Sequence, residues 1–183
     1  DQFGLLVQFF DGFKATGVNI TKCYQIAMYP YFGLNATLVG CTSSYSTKSG
    51  QGYGFDATGC QHVKYIGCTG HHNRHSFDSH IGRDIAVIGC TSEYDSSAGI
   101  STHGQELFHI ADNTVRWCGG GIILRGTRNI CTGNTVIGSK KSDESSETIV
   151  NGIAIGNPIP PVDTYGKGNS AHDLILDSNY VDV

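Results

Sequence analysis

The sequence predicts an all-β solenoid, in which short strands wind repeatedly around one axis. Three observations support this fold class: a close internal match, the amino-acid composition and a recurring spacing of residue types. Two stretches, FDATGCQHVKYIGCT (Phe55–Thr69) and FDSHIGRDIAVIGCT (Phe77–Thr91), match at an offset of 22 residues. Gly is abundant at 25 residues, and Val, Ile, Thr and Tyr dominate the apolar segments, as in strands. A bulky apolar residue also precedes a Cys or Asn at a recurring spacing, in the pairs Phe10/Cys23, Met28/Cys41, Phe55/Cys68, Phe77/Cys90, Ile100/Asn113, Ile122/Asn134 and, with a long interruption, Ile153/Asn179.

Each repeat contains two or three short runs of alternating apolar and polar residues, and no segment shows the 3.6-residue period of a helix. A coil of roughly 22 residues with three short strands is the size expected of a parallel β-helix, whose adjacent coils lie about 4.8 Å apart. We therefore expect about seven coils in a single domain spanning residues 1–183. The chain starts without Met and stops inside a strand-like run, so we expect a fragment of a longer protein.

The composition argues against two classes of partner. The net charge of −4 disfavours nucleic acid, because binding to a phosphate backbone needs clustered Lys and Arg. No apolar run is long enough to cross a bilayer, so membrane insertion is not expected. Four of the seven Cys residues recur at one place in successive repeats, which predicts buried free thiols, with disulfides as the alternative.

The repeated segments VKYIGCT, IAVIGCT, FHIADNT and LILDSN resemble the rungs of right-handed, single-stranded parallel β-helices of the pectate-lyase-like superfamily. The His- and Gly-rich turns are most similar to those of bacteriophage tailspike and pre-neck appendage proteins. This resemblance covers nearly the whole chain and implies a homotrimer located on the virion tail or outside the cell. The superfamily includes hydrolases, lyases, epimerases and inert stalks, so the fold by itself does not imply an activity.

The alternation within a strand predicts which side chains face outward. If the apolar residue that opens each repeat faces inward, the next residue and the one two beyond it face outward. The first outward column is then Asp11, Tyr29, Asp56, Asp78, Ser101, Ile123 and Ala154. The second is Phe13, Tyr31, Thr58, His80, His103, Arg125 and Gly156.

These columns place catalytic residue types side by side in the middle of the stack. Asp56 would lie beside Asp78, and His80 beside His103, each about one strand spacing apart. Two carboxyls this close divide into an acid and a base, and a separation near 5 Å is typical of retaining glycosidases. Asp56, Asp78, His80 and His103 are therefore the candidate catalytic residues. The candidate substrate-binding residues are Tyr29, Tyr31, Arg74, His75 and Arg125.

No cofactor is predicted, although metal ions remain alternatives. The histidines of the turn His71–Ser76, with His80 and His103, could supply imidazoles to zinc, but their spacing matches no standard zinc motif. Calcium could bind through Asp56 and Asp78, and we rank it above zinc. The glycine run Cys118–Gly121 lacks the strand–turn–helix context of a phosphate loop.

Three functions follow as expectations. The first is a carbohydrate-active enzyme that hydrolyses a bacterial cell-surface polysaccharide or teichoic acid, with paired Asp in a glycosidase or paired His in a phosphodiesterase. The second is a lyase of uronate polymers. The third is a non-catalytic stalk that binds glycans, for which Trp117 and the tyrosines offer stacking surfaces. The polar segment 139–147 and the Pro-rich segment 157–162 are expected to be exposed excursions from the coil.

Overall fold

A computed structural model describes residues 2–138, 152–156 and 171–182, so the two predicted excursions lie outside the described residues. Within those ranges the chain contains strands and no helix. The strands form three parallel sheets that wind into a β-solenoid of about 6 turns with roughly 23 residues per turn. The predicted fold class is confirmed.

The strands are short, mostly of three to six residues. In chain order they are β1 (Phe3–Gln8), β2 (Asp11–Thr16), β3 (Asn19–Thr21), β4 (Ile26–Tyr31), β5 (Leu34–Val39), β6 (Thr42–Ser44), β7 (Tyr53–Thr58), β8 (Gln61–Ile66), β9 (Thr69–His71), β10 (His75–His80), β11 (Arg83–Ile88), β12 (Thr91–Glu93), β13 (Ala98–Ser101), β14 (Gln105–Ala111), β15 (Thr114–Arg116), β16 (Gly120–Leu124), β17 (Gly126–Thr127), β18 (Ile130–Thr132), β19 (Thr135–Ile137), β20 (Ile153–Ile155), β21 (Ala171–His172), β22 (Ile175–Asp177) and β23 (Tyr180–Asp182).

Up to β15 each turn contributes one strand to each sheet, so every third strand becomes a neighbour. In the following turn the strand of the second sheet is divided into β17 and β18, which both pair with β14. The first sheet has the order β1-β4-β7-β10-β13-β16-β20, and the third has the order β3-β6-β9-β12-β15-β19-β23. The second sheet runs β2-β5-β8-β11-β14-β17-β21, and β18 and β22 extend it beside β14. Equivalent residues of successive turns therefore stack on one another, as the repeat predicts.

The interior is a column of apolar side chains that repeats with the turns. Met28, Phe55, Phe77, Ile100 and Ile122 of the first sheet are all fully buried. The rings of Phe55 and Phe77 stack with centroids 4.9 Å apart. Tyr65, Ile85, Phe108 and Val115 close this core from the other two sheets. Burial of each large apolar side chain stabilises the fold by about 1.5–3 kcal/mol.

The predicted alignment is wrong in the first turn. Leu5, not Phe10, pairs with Met28. Val18, not Cys23, is the residue of the first turn that is equivalent to Cys41. The backbone shows this, because Thr42 N donates to Val18 O in the same way as Thr69 N donates to Cys41 O one turn later. The predicted markers Phe10 and Cys23 therefore lie five residues beyond the equivalent positions, Leu5 and Val18. The pattern misses Val18 because the first turn has Val where later turns have Cys or Asn.

The outward columns change with that correction. Leu6 pairs with Tyr29, and Gln8 pairs with Tyr31, so these residues replace Asp11 and Phe13. Asp11 instead opens β2 in the second sheet. The outward columns predicted from Met28 onward agree with the observed pairing of strands in the middle of the solenoid, where Asp56 pairs with Asp78.

The predicted column of Cys and Asn residues lies in the interior from Cys41 onward. All seven cysteines are buried and carry free thiols. Cys68 N donates to Cys90 Sγ over 3.3 Å, and Asn113 Nδ2 donates to Asn134 Oδ1 over 2.9 Å. The small polar side chains thus bond along the stack.

Candidate functional site

The outer face of the first sheet is shaped by a break in the alternation of side chains. Phe55 packs in the core against Tyr65 and Phe77. A Cβ built on Gly54 would also point inward, where it would collide with Ser43 Oγ. Because Gly54 and Phe55 both face inward, Tyr53 faces outward with Asp56. Its ring accordingly lies 5.7 Å from that of His75 and 5.6 Å from that of His80.

Asp56 and Asp78 are direct neighbours on β7 and β10. Asp56 Oδ1 lies 3.2 Å from His80 Nδ1, and Asp56 Oδ2 accepts a hydrogen bond from Thr58 Oγ1 at 3.1 Å. Asp78 Oδ1 accepts the backbone N–H of Ser79 at 2.8 Å. Asp78 Oδ2 is buried and has no hydrogen-bond partner among the described residues. The two carboxyls therefore lie side by side in different surroundings.

Two imidazoles stack beside these carboxyls. His80 and His103 pair across adjacent turns, and their rings lie 4.4 Å apart at an angle of 16°. His103 Nε2 is 3.6 Å from Asp78 Oδ1. Arg125 from the following turn places Nη1 2.7 Å from His103 Nδ1. The four candidate catalytic residues thus converge in one cluster, bounded by Arg125.

The cluster is more enclosed than an open outer strip would be. Asp78 is 0% exposed, Asp56 1% and His80 8%. The side chain of His103 retains 18% exposure, the largest value among the four. Solvent therefore reaches the cluster chiefly at His103.

Burial sets the protonation of the cluster. Desolvation raises the pKa of Asp78 to about 7, and the neighbouring charge of Asp56 acts in the same direction. Desolvation lowers the pKa of His103, and the positive charge of Arg125 lowers it further. Desolvation also holds the pKa of His75 well below its usual value. Near neutral pH the site therefore combines a carboxyl able to hold a proton, that of Asp78, with the uncharged imidazoles of His75 and His103.

The predicted substrate-binding residues lie around this cluster. The rings of Tyr29 and Tyr31 are 5.2 Å apart, and Tyr31 pairs with Thr58, which pairs with His80. Arg74 places its guanidinium 6.0 Å from the ring centroid of Tyr53. Buried His75 opens β10, and its Nδ1 lies 2.7 Å from Ala98 O.

Sequence reasoning missed Tyr53 because strict alternation would turn it inward with Phe55. A signal was present in the repeat. Glycine immediately precedes the inward residue in five turns, at Gly4, Gly54, Gly99, Gly121 and Gly152, and a Cβ at any of them would collide with neighbouring atoms. Recurrent glycine beside a core position is typical of a bulge or a close approach of backbone.

The turn after the third sheet forms a separate surface feature. Tyr45, His72, Tyr94 and Trp117 make a ladder of stacked rings, with successive centroids 5.0–5.1 Å apart. Trp117, expected to bind sugar, therefore stacks on Tyr94 in this ladder. Arg116 lies over the Trp117 ring at 4.7 Å.

The fold and site define a parallel β-solenoid that carries an Asp–His cluster on one sheet. Comparison of the chain with protein-family models, with curated proteins and with solved structures found no significant match. Among the described residues, no helix is long and apolar enough to span a membrane.

Proposed function

We propose that this solenoid is a carbohydrate-active domain that binds and hydrolyses a bacterial surface polymer, a polysaccharide or a teichoic acid. The observation that carries this proposal is the register of β7 and β10, which sets Asp56 directly beside Asp78. The stacked imidazoles of His80 and His103 supply further proton-transfer groups to the same cluster. Such convergence of acids and bases is the basis of general acid–base catalysis.

The surroundings of the two carboxyls favour different roles. Asp78, whose pKa is raised by burial, donates a proton to the glycosidic oxygen as the bond to the leaving sugar breaks. Asp56, held by Thr58 and His80, attacks the anomeric carbon. Neighbouring parallel strands are about 4.8 Å apart, which is close to the carboxyl separation of about 5–5.5 Å in retaining glycosidases. Water then releases the sugar, with Asp78 as base.

The polymer would lie along the outer side of the first sheet. Tyr29 and Tyr31 offer aromatic surface for sugar rings two turns away from His80. Arg74 and Arg125 provide positive charge for a phosphate or carboxylate group. On a teichoic acid, His80 and His103 would act as the acid–base pair, with Arg125 neutralising the phosphate.

The resemblance of the rungs to phage tailspikes of the pectate-lyase-like superfamily supports the same substrate class. The same resemblance implies a location on a virion tail or outside the cell and assembly as a homotrimer, and we propose both. These assignments are proposals that rest on the residues of the repeat.

A second candidate function is a stalk that holds a glycan without cleaving it. The observation in its favour is the burial of Asp56 and Asp78, which are 1% and 0% exposed. Carboxyls enclosed in this way can serve to link adjacent turns. The two functions differ in turnover, which separates them experimentally.

The test is release of oligomers from a panel of capsular polysaccharides and wall teichoic acids. We expect the wild-type protein to release oligomers from at least one polymer, and Asp78→Asn to lower the rate by about 10²–10⁴-fold. Retained polymer binding by the variant would show that the site is intact.

The matched control is Asp84→Asn. Asp84 also lies beside a histidine, 2.7 Å from His62 Nδ1, but this exposed pair belongs to the second sheet. Its substitution should leave the rate unchanged. Failure of the wild-type protein to release oligomers from every polymer would contradict the enzyme and leave the stalk.

A further inference from the structure

Three side chains of the cluster present atoms typical of a transition-metal site. One ligand atom each from Asp78, His80 and His103 lie within 4.8 Å of one another. Zinc binds imidazole nitrogen and carboxylate oxygen at about 2.0–2.2 Å. Because the rings of His80 and His103 lie 4.4 Å apart and nearly parallel, they would have to tilt to direct one nitrogen each toward a common ion. We infer that Asp78, His80 and His103 form a binding site for a zinc-type divalent cation.

The position of Asp56 supports this inference independently. Its Oδ1 lies 3.2 Å from Nδ1 of His80, so Nε2 is the ring nitrogen that would coordinate the cation. Histidines that bind metals almost always donate their second nitrogen to a carboxylate or carbonyl in this way. Asp56 is therefore a positioning residue for the metal ligand His80.

Asp78 supplies the second argument. Its Oδ2 is buried and has no hydrogen-bond partner among residues 2–138, 152–156 and 171–182. A buried polar atom without a partner is costly, and coordination of a cation would satisfy it. Its other oxygen is fixed by the N–H of Ser79 at 2.8 Å, which restricts rotation of the carboxyl group.

His103 is the side from which a cation can reach the site, and the neighbouring Arg125 carries the main opposing charge. The side chain of His103 is 18% exposed, so a cation can reach the cluster from that side. Arg125 Nη1 lies 2.7 Å from Nδ1 and 3.1 Å from Nε2 of His103, and this positive charge opposes a metal ion. Coordination through Nε2 would move the ring proton to Nδ1 and displace this arginine contact.

Metal binding does not depend on the proposed hydrolysis, although both use Asp78. A carboxyl that coordinates a metal is ionised and cannot donate a proton. The two uses of the residue therefore exclude each other at any moment, and a bound cation would inhibit the acid–base reaction proposed above. The binding experiment contains no polymer, so its failure is distinguishable from failure of the hydrolysis.

The test is titration of the metal-free protein with Co²⁺, followed by visible absorption, and with Zn²⁺, followed by calorimetry. We expect one ion per chain and the absorption of a tetrahedral Co²⁺ site. Asp78→Asn and His103→Ala should each weaken binding tenfold or more. Asp56→Asn should weaken it by about 10–100-fold, because it removes only the positioning contact.

The control is the double substitution of His71 and His72 by Ala. Nδ1 atoms of this exposed pair lie 3.2 Å apart, so the pair is the competing imidazole site. The double variant should bind the ion as the wild type does. Loss of binding in the double variant of His71 and His72 would show that the inference is wrong. Equal binding by the wild type, Asp78→Asn and His103→Ala would also contradict it.

A measurement on the wild-type protein covers the case in which a variant fails to fold. Nitrogen-15 NMR of the histidine rings during Zn²⁺ titration should shift the signals of His80 and His103. Shifts confined to His71 and His72 would overturn the assignment.

Discussion

At the scale of single residues, Asp95 shows how the interior accommodates a carboxyl. Its Oδ1 accepts the N–H of Asn73 at 2.8 Å, and Oδ2 accepts the hydroxyls of Ser76 at 2.5 Å and Ser92 at 2.7 Å. Desolvation nevertheless raises the pKa of Asp95 from 3.8 to about 7. The residue links two adjacent turns from inside and lies apart from the Asp–His cluster.

Asp95 should make the stability of the protein depend on pH. Because its pKa is raised on folding, the folded state binds more protons than the unfolded state between about pH 4 and pH 7. The stabilisation from its protonation is complete below about pH 4 and is lost as the pH rises through about 7. We expect Asp95→Asn to remove about one proton from the pH dependence of the unfolding free energy, measured by urea denaturation. An unchanged pH dependence in this variant would contradict the assignment.

Individual residues also show what the sequence could predict. The four candidate catalytic residues converge because their spacing follows the repeat, and the repeat is clear in the middle turns of the sequence. They are Asp56, Asp78, His80 and His103. The burial of the outer face was not predictable from alternation, which gives the direction of a side chain but not what covers it.

At the scale of strands, the break in alternation at Gly54 determines which residues join the cluster. It turns Tyr53 outward toward His75, although Tyr53 stands two residues from the inward Phe55. The same place carries glycine or another small residue in the other turns, such as Ser76 before Phe77. Alternation along the sequence cannot predict such a break, because it assumes that successive side chains always point to opposite faces of the sheet.

Gly54→Ala should therefore destabilise the protein by about 1–3 kcal/mol, as overpacked substitutions do. Its Cβ would collide with Ser43 Oγ and approach Ser76 O to 2.8 Å. Thermal unfolding measures the change. Gly120→Ala is the control, since its Cβ would meet only ordinary contacts at 3.6 Å or more. Equal stability of the two variants would contradict the inward direction of Gly54.

The first turn shows where pattern matching on strands fails. The markers Phe10 and Cys23 have the right residue types, yet Leu5 and Val18 hold the equivalent places. Pairing of strands, rather than residue type, decides the register.

At the scale of the whole molecule, the solenoid stacks residues that are distant in sequence. Asp56 and Asp78 lie 22 positions apart, and His103 and Arg125 belong to the next two turns, yet all contribute to one cluster. Each turn contacts only its neighbours, so a functional site on such a fold is assembled turn by turn. The repeat length is therefore a determinant of chemistry as well as of shape.

The most direct test of this account is a double-mutant cycle on oligomer release, with Asp56→Asn, Asp78→Asn and the double variant. Residues that act as one catalytic unit are strongly non-additive, so we predict that the double variant is about as slow as the slower single variant. Losses that multiply, or single variants as active as the wild type, would contradict a shared site built from adjacent turns.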